Sequence, residues 1–115
     1  MQKCYRGVVI RGESVGTKLG FPTANIALED VNISGTYAGT VVVDDILYEA
    51  GIYANQRRNI LETHILDFSG DLYGKTITVT LHEKIRDDKV FTNEKDLSKT
   101  IASDIKKVRE YFDKP

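Results

Sequence analysis

The sequence predicts an all-β domain with one C-terminal helix, built as a small antiparallel barrel or sandwich that the helix closes. Short runs rich in β-branched residues recur through most of the chain, separated by glycine, proline and charged turn signals. The clearest run is residues 76–84, where Ile77, Val79 and Leu81 alternate with polar residues. Near the C-terminus the apolar spacing changes from two residues to three or four, which is the period of a helix.

The strand signals fall in chain order on residues 5–10, 37–43, 46–53, 60–66 and 76–84. Asp44 and Asp45 separate the second and third runs, which predicts a tight hairpin. Residues 11–35 carry several glycines and Pro22, and we expect one long loop there because both residue types interrupt regular structure. Loops of that length are uncommon in a compact domain and are typically functional.

An amphipathic helix is predicted at the C-terminal end. Thr92 or Asn93 is a candidate N-cap, and the acidic Glu94 and Asp96 suit the positive end of the helix dipole. We expect the helix to contribute mainly stability, since each large apolar side chain that it buries contributes on the order of 2 kcal/mol before entropy is counted. Its apolar stripe consists of Leu97, Ile101, Ile105, Val108 and Phe112.

Composition excludes several classes of function. The 115 residues suffice for one hydrophobic core, so we expect a single domain over residues 1–115. The formal net charge of −1 argues against a general nucleic-acid-binding surface. There is no apolar run of membrane-spanning length and no signal-peptide pattern. Cys4 is the only cysteine, which excludes an internal disulfide and a cysteine-based zinc site. The expectation is a cytoplasmic protein without nucleic-acid or membrane partners.

The candidate binding loop is residues 16–25. Its glycines give conformational freedom, while Pro22 fixes its own φ and holds the preceding residue extended. Thr23 and Asn25 offer small oxygen ligands to a hard cation such as Mg²⁺; their alternative role is ordinary turn-forming hydrogen bonding. Lys18 would neutralise phosphate charge, or would simply be solvated. Residues 12–16 lack the Gly-Lys-Ser/Thr ending of a Walker A loop, so a phosphate would be bound differently.

Three later residues are candidates for chemistry. Glu62 lies in an apolar strand, where it is either a solvent-facing residue or a general base that accepts a proton from a substrate hydroxyl. His64, on the same predicted face, would tune Glu62, bind a metal or satisfy a local hydrogen bond. Arg86 follows the last strand, where it is either part of a solvated charge run or faces a ligand.

These pieces, in this order, resemble the riboflavin kinase family. The resemblance covers essentially the whole chain, and its specific parts are Phe-Pro-Thr-Ala-Asn at residues 21–25 and Leu-Glu-Thr-His at residues 61–64. The remaining matching segments are residues 7–9, 19–20, 26, 35–39, 65–68, 71–75, 85–86, 91 and 97–104.

The resemblance implies a six-stranded antiparallel Greek-key barrel that binds ATP, or a related nucleotide, together with riboflavin and Mg²⁺ or another divalent cation. The family transfers the γ-phosphoryl group to the riboflavin 5′-hydroxyl, which gives flavin mononucleotide (FMN). Glu62 would be the base, and Thr23 and Asn25 would hold the metal and the phosphates. The other implied binding residues are Gly12, Gly16, Lys18 and Gly20 on the phosphate side, Pro22 beside Thr23, and Arg86 in the flavin-side wall.

The chain departs from the family pattern in two ways. Residues 51–58 lack the Asn-Ile-Gly and Pro-Thr segments that are usual in the family, and the loop there is shortened. The flavin contacts that the family makes through this loop are therefore expected to differ in this chain. The adenylyltransferase domain that often precedes this domain in bacterial relatives is not among these residues. We expect a monomer. The alternatives to a kinase are a non-catalytic barrel that binds flavin or nucleotide, and a structural interaction module.

Overall fold

Six antiparallel strands form a nearly closed barrel, and one helix packs against β3, β4 and β6. The computed structural model describes residues 2–11, 17 and 19–113. The elements are β1 (Lys3–Val8), β2 (Ala24–Ala27), β3 (Gly35–Val43), β4 (Ile46–Asn55), β5 (Ile60–Ile65), β6 (Thr76–Arg86) and α1 (Glu94–Asp113). Within the described residues, no helix is both long and apolar enough to cross a membrane.

The strand order is β1-β6-β3-β4-β5-β2. Strands β3, β4 and β5 are consecutive hairpin partners, and β6 returns to pair with β3, which is the Greek-key arrangement. A single bridge between Ile10 and Asn25 brings the chain after β1 to the free edge of β2. The predicted all-β fold with one C-terminal helix is therefore confirmed.

Strand β2 corrects the prediction of one unbroken loop over residues 11–35. Ala24, Asn25 and Ile26 are all buried, and they pair with Thr63, Glu62 and Leu61 of β5. The local glycine and proline signals favoured a loop. The short strand forms nevertheless, because its stability comes from pairing with β5, which is distant in sequence. Asn25, a predicted binding residue, and Glu62, the predicted base, thereby lie directly opposite each other.

The first strand also differs from its prediction, which placed it at residues 5–10. It ends at Val8, and the next two residues turn to other partners. The N–H of Val9 donates to the carbonyl of Lys75 at 2.8 Å, and that of Ile10 donates to the carbonyl of Asn25 at the same distance. The backbone of Val9 and Ile10 therefore helps to close the barrel beyond the end of β1.

The predicted turn and helix start are confirmed. Asp44 and Asp45 both have positive φ, 49° and 66°, as a two-residue hairpin of the primed type requires. At the start of α1, the Asn93 side-chain oxygen accepts the N–H of Asp96 at 2.9 Å, so Asn93 is the N-cap.

Candidate active site

Two pockets adjoin at Thr23, which lines both of them. The loop pocket, of about 610 Å³, lies between residues 9–11 after the first strand, residues 22–25 and the loop at residues 68–73. The helix pocket, of about 410 Å³, lies between β4, β5, residues 86–91 and α1. Glu62 lines the helix pocket, and Asn25 lines the loop pocket. The fold thus sets two binding volumes on either side of one threonine.

Thr23 and Asn25 form a pair of neighbouring oxygen donors. The Thr23 hydroxyl donates to Asn25 Oδ1 at 3.0 Å, and Asn25 is 2% exposed. Asn25 is fixed in β2, and Thr23 directly precedes that strand, so the sheet holds both residues. A hydroxyl and an amide oxygen held side by side are hard ligands of the kind that Mg²⁺ accepts.

Glu62 is 8% exposed, which rules out the solvent-facing alternative. The amide of Asn55 at the end of β4 donates from Nδ2 to Glu62 Oε2 at 2.9 Å. Asn55 is itself fixed, because its Oδ1 accepts the N–H of Arg58 at 3.2 Å. The sequence prediction missed Asn55, since an asparagine before a turn is also an ordinary turn residue. The carboxylate therefore has a defined orientation in the helix pocket.

His64 supports the segment that carries Thr23. Its Nδ1 lies 2.7 Å from the carbonyl oxygen of Pro22. Because a carbonyl can only accept a hydrogen bond, Nδ1 must carry the proton and donate it. The ring also makes an edge contact with Phe21, with 6.2 Å between the centroids. These two contacts favour the hydrogen-bonding interpretation of His64.

Arg86 lines the helix pocket while paired with a buried carboxylate. Its Nε lies 2.9 and 3.0 Å from the two carboxylate oxygens of Asp104 on α1, and the guanidinium carbon is 5.8 Å from the centroid of Phe91. The helix side of the pocket consists of Leu97, Ile101, Asp104 and Ile105. The expectation that α1 contributes mainly stability was therefore incomplete, because part of its apolar stripe forms a pocket wall.

The other predicted binding residues are placed as follows. Gly12, Gly16 and Lys18 lie outside the described residues. On either side of residues 12–16, Arg11 and Thr17 both line the loop pocket, as does Pro22. Gly20 is a turn residue with φ of 92°, a conformation that favours glycine, and it lines neither pocket.

The shortened loop of the sequence prediction is a four-residue turn between β4 and β5. Gln56 anchors it, because its Nε2 donates to the carbonyls of Asp30 and Ile33 at 2.7 Å each. Arg57 and Arg58 of this turn both line the helix pocket. The turn thus takes part in the pocket despite its departure from the family pattern.

Comparisons with known proteins match most of the chain to one family. The family model described as Flavokinase: Riboflavin kinase matches residues 2–112. The chain is 36% identical over 111 residues to a bifunctional riboflavin kinase/FMN adenylyltransferase of Mycoplasma pneumoniae, covering 92% of this chain and 41% of the relative.

Two solved structures share the fold. The riboflavin kinase of Trypanosoma brucei matches with a TM-score of 0.69 and 27% identity, over 99% of this chain and 82% of the other. A structure described as a macrolide-efflux protein of Streptococcus pneumoniae matches with a TM-score of 0.79 and 29% identity, over 92% of this chain and 38% of the other. The chain spans about two fifths of the length of the curated relative from Mycoplasma. From the match over residues 2–112, the chain belongs to the riboflavin kinase family.

Proposed function

We propose that the chain transfers the γ-phosphoryl group of ATP to the 5′-hydroxyl of riboflavin, which yields FMN. One observation carries the proposal: Thr23 lines two adjoining pockets, with Asn25 in one and Glu62 in the other. Phosphoryl transfer depends mainly on aligning donor and acceptor and on stabilising charge. Two volumes that meet at one residue supply that alignment.

The helix pocket suits the flavin. Its volume of about 410 Å³ lies within the usual range for sites of small ligands. Apolar side chains of α1 and the ring of Phe91 form one side, while Arg86 and the carboxylate of Glu62 supply polar groups. An apolar pocket with a few polar groups fits a planar aromatic ring that carries a hydroxylated chain. In this placement the ribityl end of riboflavin points towards Glu62 and Thr23.

The loop pocket suits the nucleotide. The guanidinium carbon of Arg11 lies 4.1 Å from the ring centroid of Tyr73, so a cation and an aromatic ring stand together at this pocket. Gly12, Gly16 and Lys18 are proposed to contact the phosphates, since Arg11 and Thr17 on either side of residues 12–16 line the pocket. Nothing in these groups selects adenine over cytosine, so CTP is tested beside ATP.

The residues at Thr23 fit a divalent cation. Their oxygens are uncharged, and Mg²⁺ commonly takes its remaining ligands from water and from nucleotide phosphates. We propose that Thr23 and Asn25 hold it there. When bound, the cation would supply neutralisation of the phosphate charge.

Glu62 acts as the base in this proposal. Its carboxylate accepts the proton of the ribityl hydroxyl as the oxygen attacks phosphorus. Asn55 keeps the carboxylate oriented by donating to Oε2. Burial of Glu62 limits competition from water for the same proton-accepting oxygen.

The test is incubation with riboflavin, Mg²⁺ and either ATP or CTP, followed by chromatographic detection of FMN and by flavin fluorescence. The proposal predicts FMN formation that depends on the nucleotide. Quenched flavin fluorescence without product would instead identify a non-catalytic flavin-binding barrel. Neither product nor quenching would leave a structural module.

A further inference from the structure

Three side chains join the two sides of the helix pocket at its rim. The Tyr53 hydroxyl on β4 donates to Asp88 Oδ1 at 2.7 Å. Arg57, in the β4–β5 turn, donates from Nη2 to the same hydroxyl at 2.7 Å, and its Nη1 lies 3.4 Å from Asp88 Oδ2. We call Tyr53, Arg57 and Asp88 the latch. All three residues line the helix pocket.

The latch acts on a segment without regular structure of its own. Strand β6 ends at Arg86 and α1 begins at Glu94, so residues 87–93 connect the two without a helix or a strand. Lys89, Val90 and Phe91 of this connector line the helix pocket directly after Asp88. The position of that wall therefore depends on what holds the connector, and the latch ties it to the β4–β5 turn.

Tyr53 is the centre of the latch. Burial, followed by the hydrogen bond to Asp88, raises the pKa of Tyr53 well above its ordinary value. The hydroxyl therefore stays protonated and donates to Asp88 at any physiological pH. The Arg57 side chain is 56% exposed, so water and salt weaken its ion pair with Asp88. The bond between Tyr53 and Asp88 is consequently the principal link.

We propose that the latch positions residues 88–91 against bound riboflavin and thereby sets the affinity for riboflavin and its rate of release. The proposal rests on the proposed function of the helix pocket as the flavin site. The three residues are positioning residues, since they act through the wall that carries Lys89 and Phe91. The latch residues line only the helix pocket, so nucleotide affinity should not depend on them.

Tyr53→Phe removes the hydroxyl and keeps the ring. We expect the KM for riboflavin and the riboflavin dissociation rate, followed by stopped-flow flavin fluorescence, to rise about fivefold to tenfold. The KM for ATP should stay within about twofold, because the loop pocket is untouched. A purely structural role would lower thermal stability without this separation between the two substrates.

The chain offers a matched control. The Tyr5 hydroxyl donates to Asp30 Oδ2 at 2.6 Å, and Lys3 Nζ lies 3.4 Å from the same oxygen, so Tyr5 has the same kinds of partners. Tyr5 lines neither pocket. Tyr5→Phe should therefore leave both KM values and the riboflavin dissociation rate unchanged.

Asp88→Ala, which removes the acceptor of the Tyr53 hydroxyl, gives an independent test if Tyr53→Phe fails to fold. The double variant Tyr53→Phe/Asp88→Ala should lose little more riboflavin affinity than either single variant, because both changes break the same bond. The latch is overturned if the wild-type chain forms FMN while Tyr53→Phe and Asp88→Ala both keep the wild-type riboflavin KM and dissociation rate. It is equally overturned if the KM for ATP rises as much as that for riboflavin. If the wild-type chain neither quenches riboflavin fluorescence nor forms FMN, the proposed function itself fails.

Discussion

Asn55 and Glu62 are joined across the β4–β5 turn by a hydrogen bond of 2.9 Å from Nδ2 to Oε2, and both residues are buried. The bond fixes a carboxylate that faces the helix pocket. Because Asn55 also accepts the N–H of Arg58, the turn and the carboxylate are held by one amide group. The orientation of Glu62 is therefore linked to the conformation of the turn.

The first prediction concerns this amide. Asn55→Asp places a second carboxylate beside Glu62, and a like charge raises the pKa of a carboxyl group. We expect the acidic limb of the kcat/KM profile for riboflavin to move to higher pH by about one unit or more. Asn59→Asp is the matched control, since Asn59 lies exposed in the same turn and lines neither pocket. Equal profiles for the two variants would refute the link between Asn55 and Glu62.

The second prediction concerns the threonine shared by the two pockets. Thr23→Val keeps the shape of the side chain but removes the hydroxyl beside Asn25. We expect the Mg²⁺ concentration for half-maximal activity to rise about tenfold, because one oxygen ligand is lost. Thr78→Val, on β6 and away from both pockets, should leave the Mg²⁺ titration unchanged. An unchanged titration in Thr23→Val would remove Thr23 from the proposed metal site.

The third prediction concerns the ion pair between β6 and α1. The Arg86 and Asp104 side chains are 20% and 9% exposed, so Asp104→Asn leaves a largely buried guanidinium without its counter-charge. We expect the free energy of unfolding, measured with urea, to fall by about 3 kcal/mol. Asp44→Asn breaks the exposed pair with Lys75 and should cost no more than about 0.5 kcal/mol. Similar losses of unfolding free energy in Asp104→Asn and Asp44→Asn would contradict a larger contribution from the buried pair.

The fourth prediction concerns the acid dependence of stability. A hydrogen bond from Arg109, and then its charge, holds the pKa of Asp67 below the ordinary 3.8. A lowered folded-state pKa means that the carboxylate stabilises the fold above the ordinary pKa and loses this contribution as pH falls through the folded value.

Asp67→Asn should therefore be less stable than wild type at about pH 6, and the difference should shrink towards about pH 2. Urea unfolding across this range measures it. Asp45→Asn is a suitable control, because Asp45 also has positive φ and is exposed. A difference between wild type and Asp67→Asn that stays constant with pH would contradict the assignment.

The elements predicted from sequence are those whose causes are local. The turn at Asp44 and Asp45, the alternation of β6 and the Asn93 cap each depend on residues close together in the chain. Strand β2 was not predicted, because its stability comes from pairing with β5. The periodicity of α1 identified its apolar face but could not show that part of that face lines a pocket.

The candidate site shows the same difference between features with local causes and features that depend on long-range contacts. Thr23, Asn25 and Glu62 were selected from sequence, and the pairing of β2 with β5 explains why Asn25 and Glu62 lie opposite each other. Asn55 was missed because its partner lies across a turn whose conformation the sequence pattern did not reveal. Hydrogen bonds between side chains depend on that conformation and not on residue spacing alone.

The most direct test of the account is single-turnover FMN formation by Glu62→Gln, with nucleotide and riboflavin binding measured on the same protein. Glutamine keeps the size of the side chain and can still accept the bond from Asn55, but it is a far weaker base. We predict a fall in the rate of the chemical step of about 10²- to 10⁴-fold, with both binding constants within a few fold of wild type. Glu49→Gln, on the exposed part of β4, should match wild type. Full turnover in Glu62→Gln and in Glu62→Ala would contradict the role of Glu62 as the base.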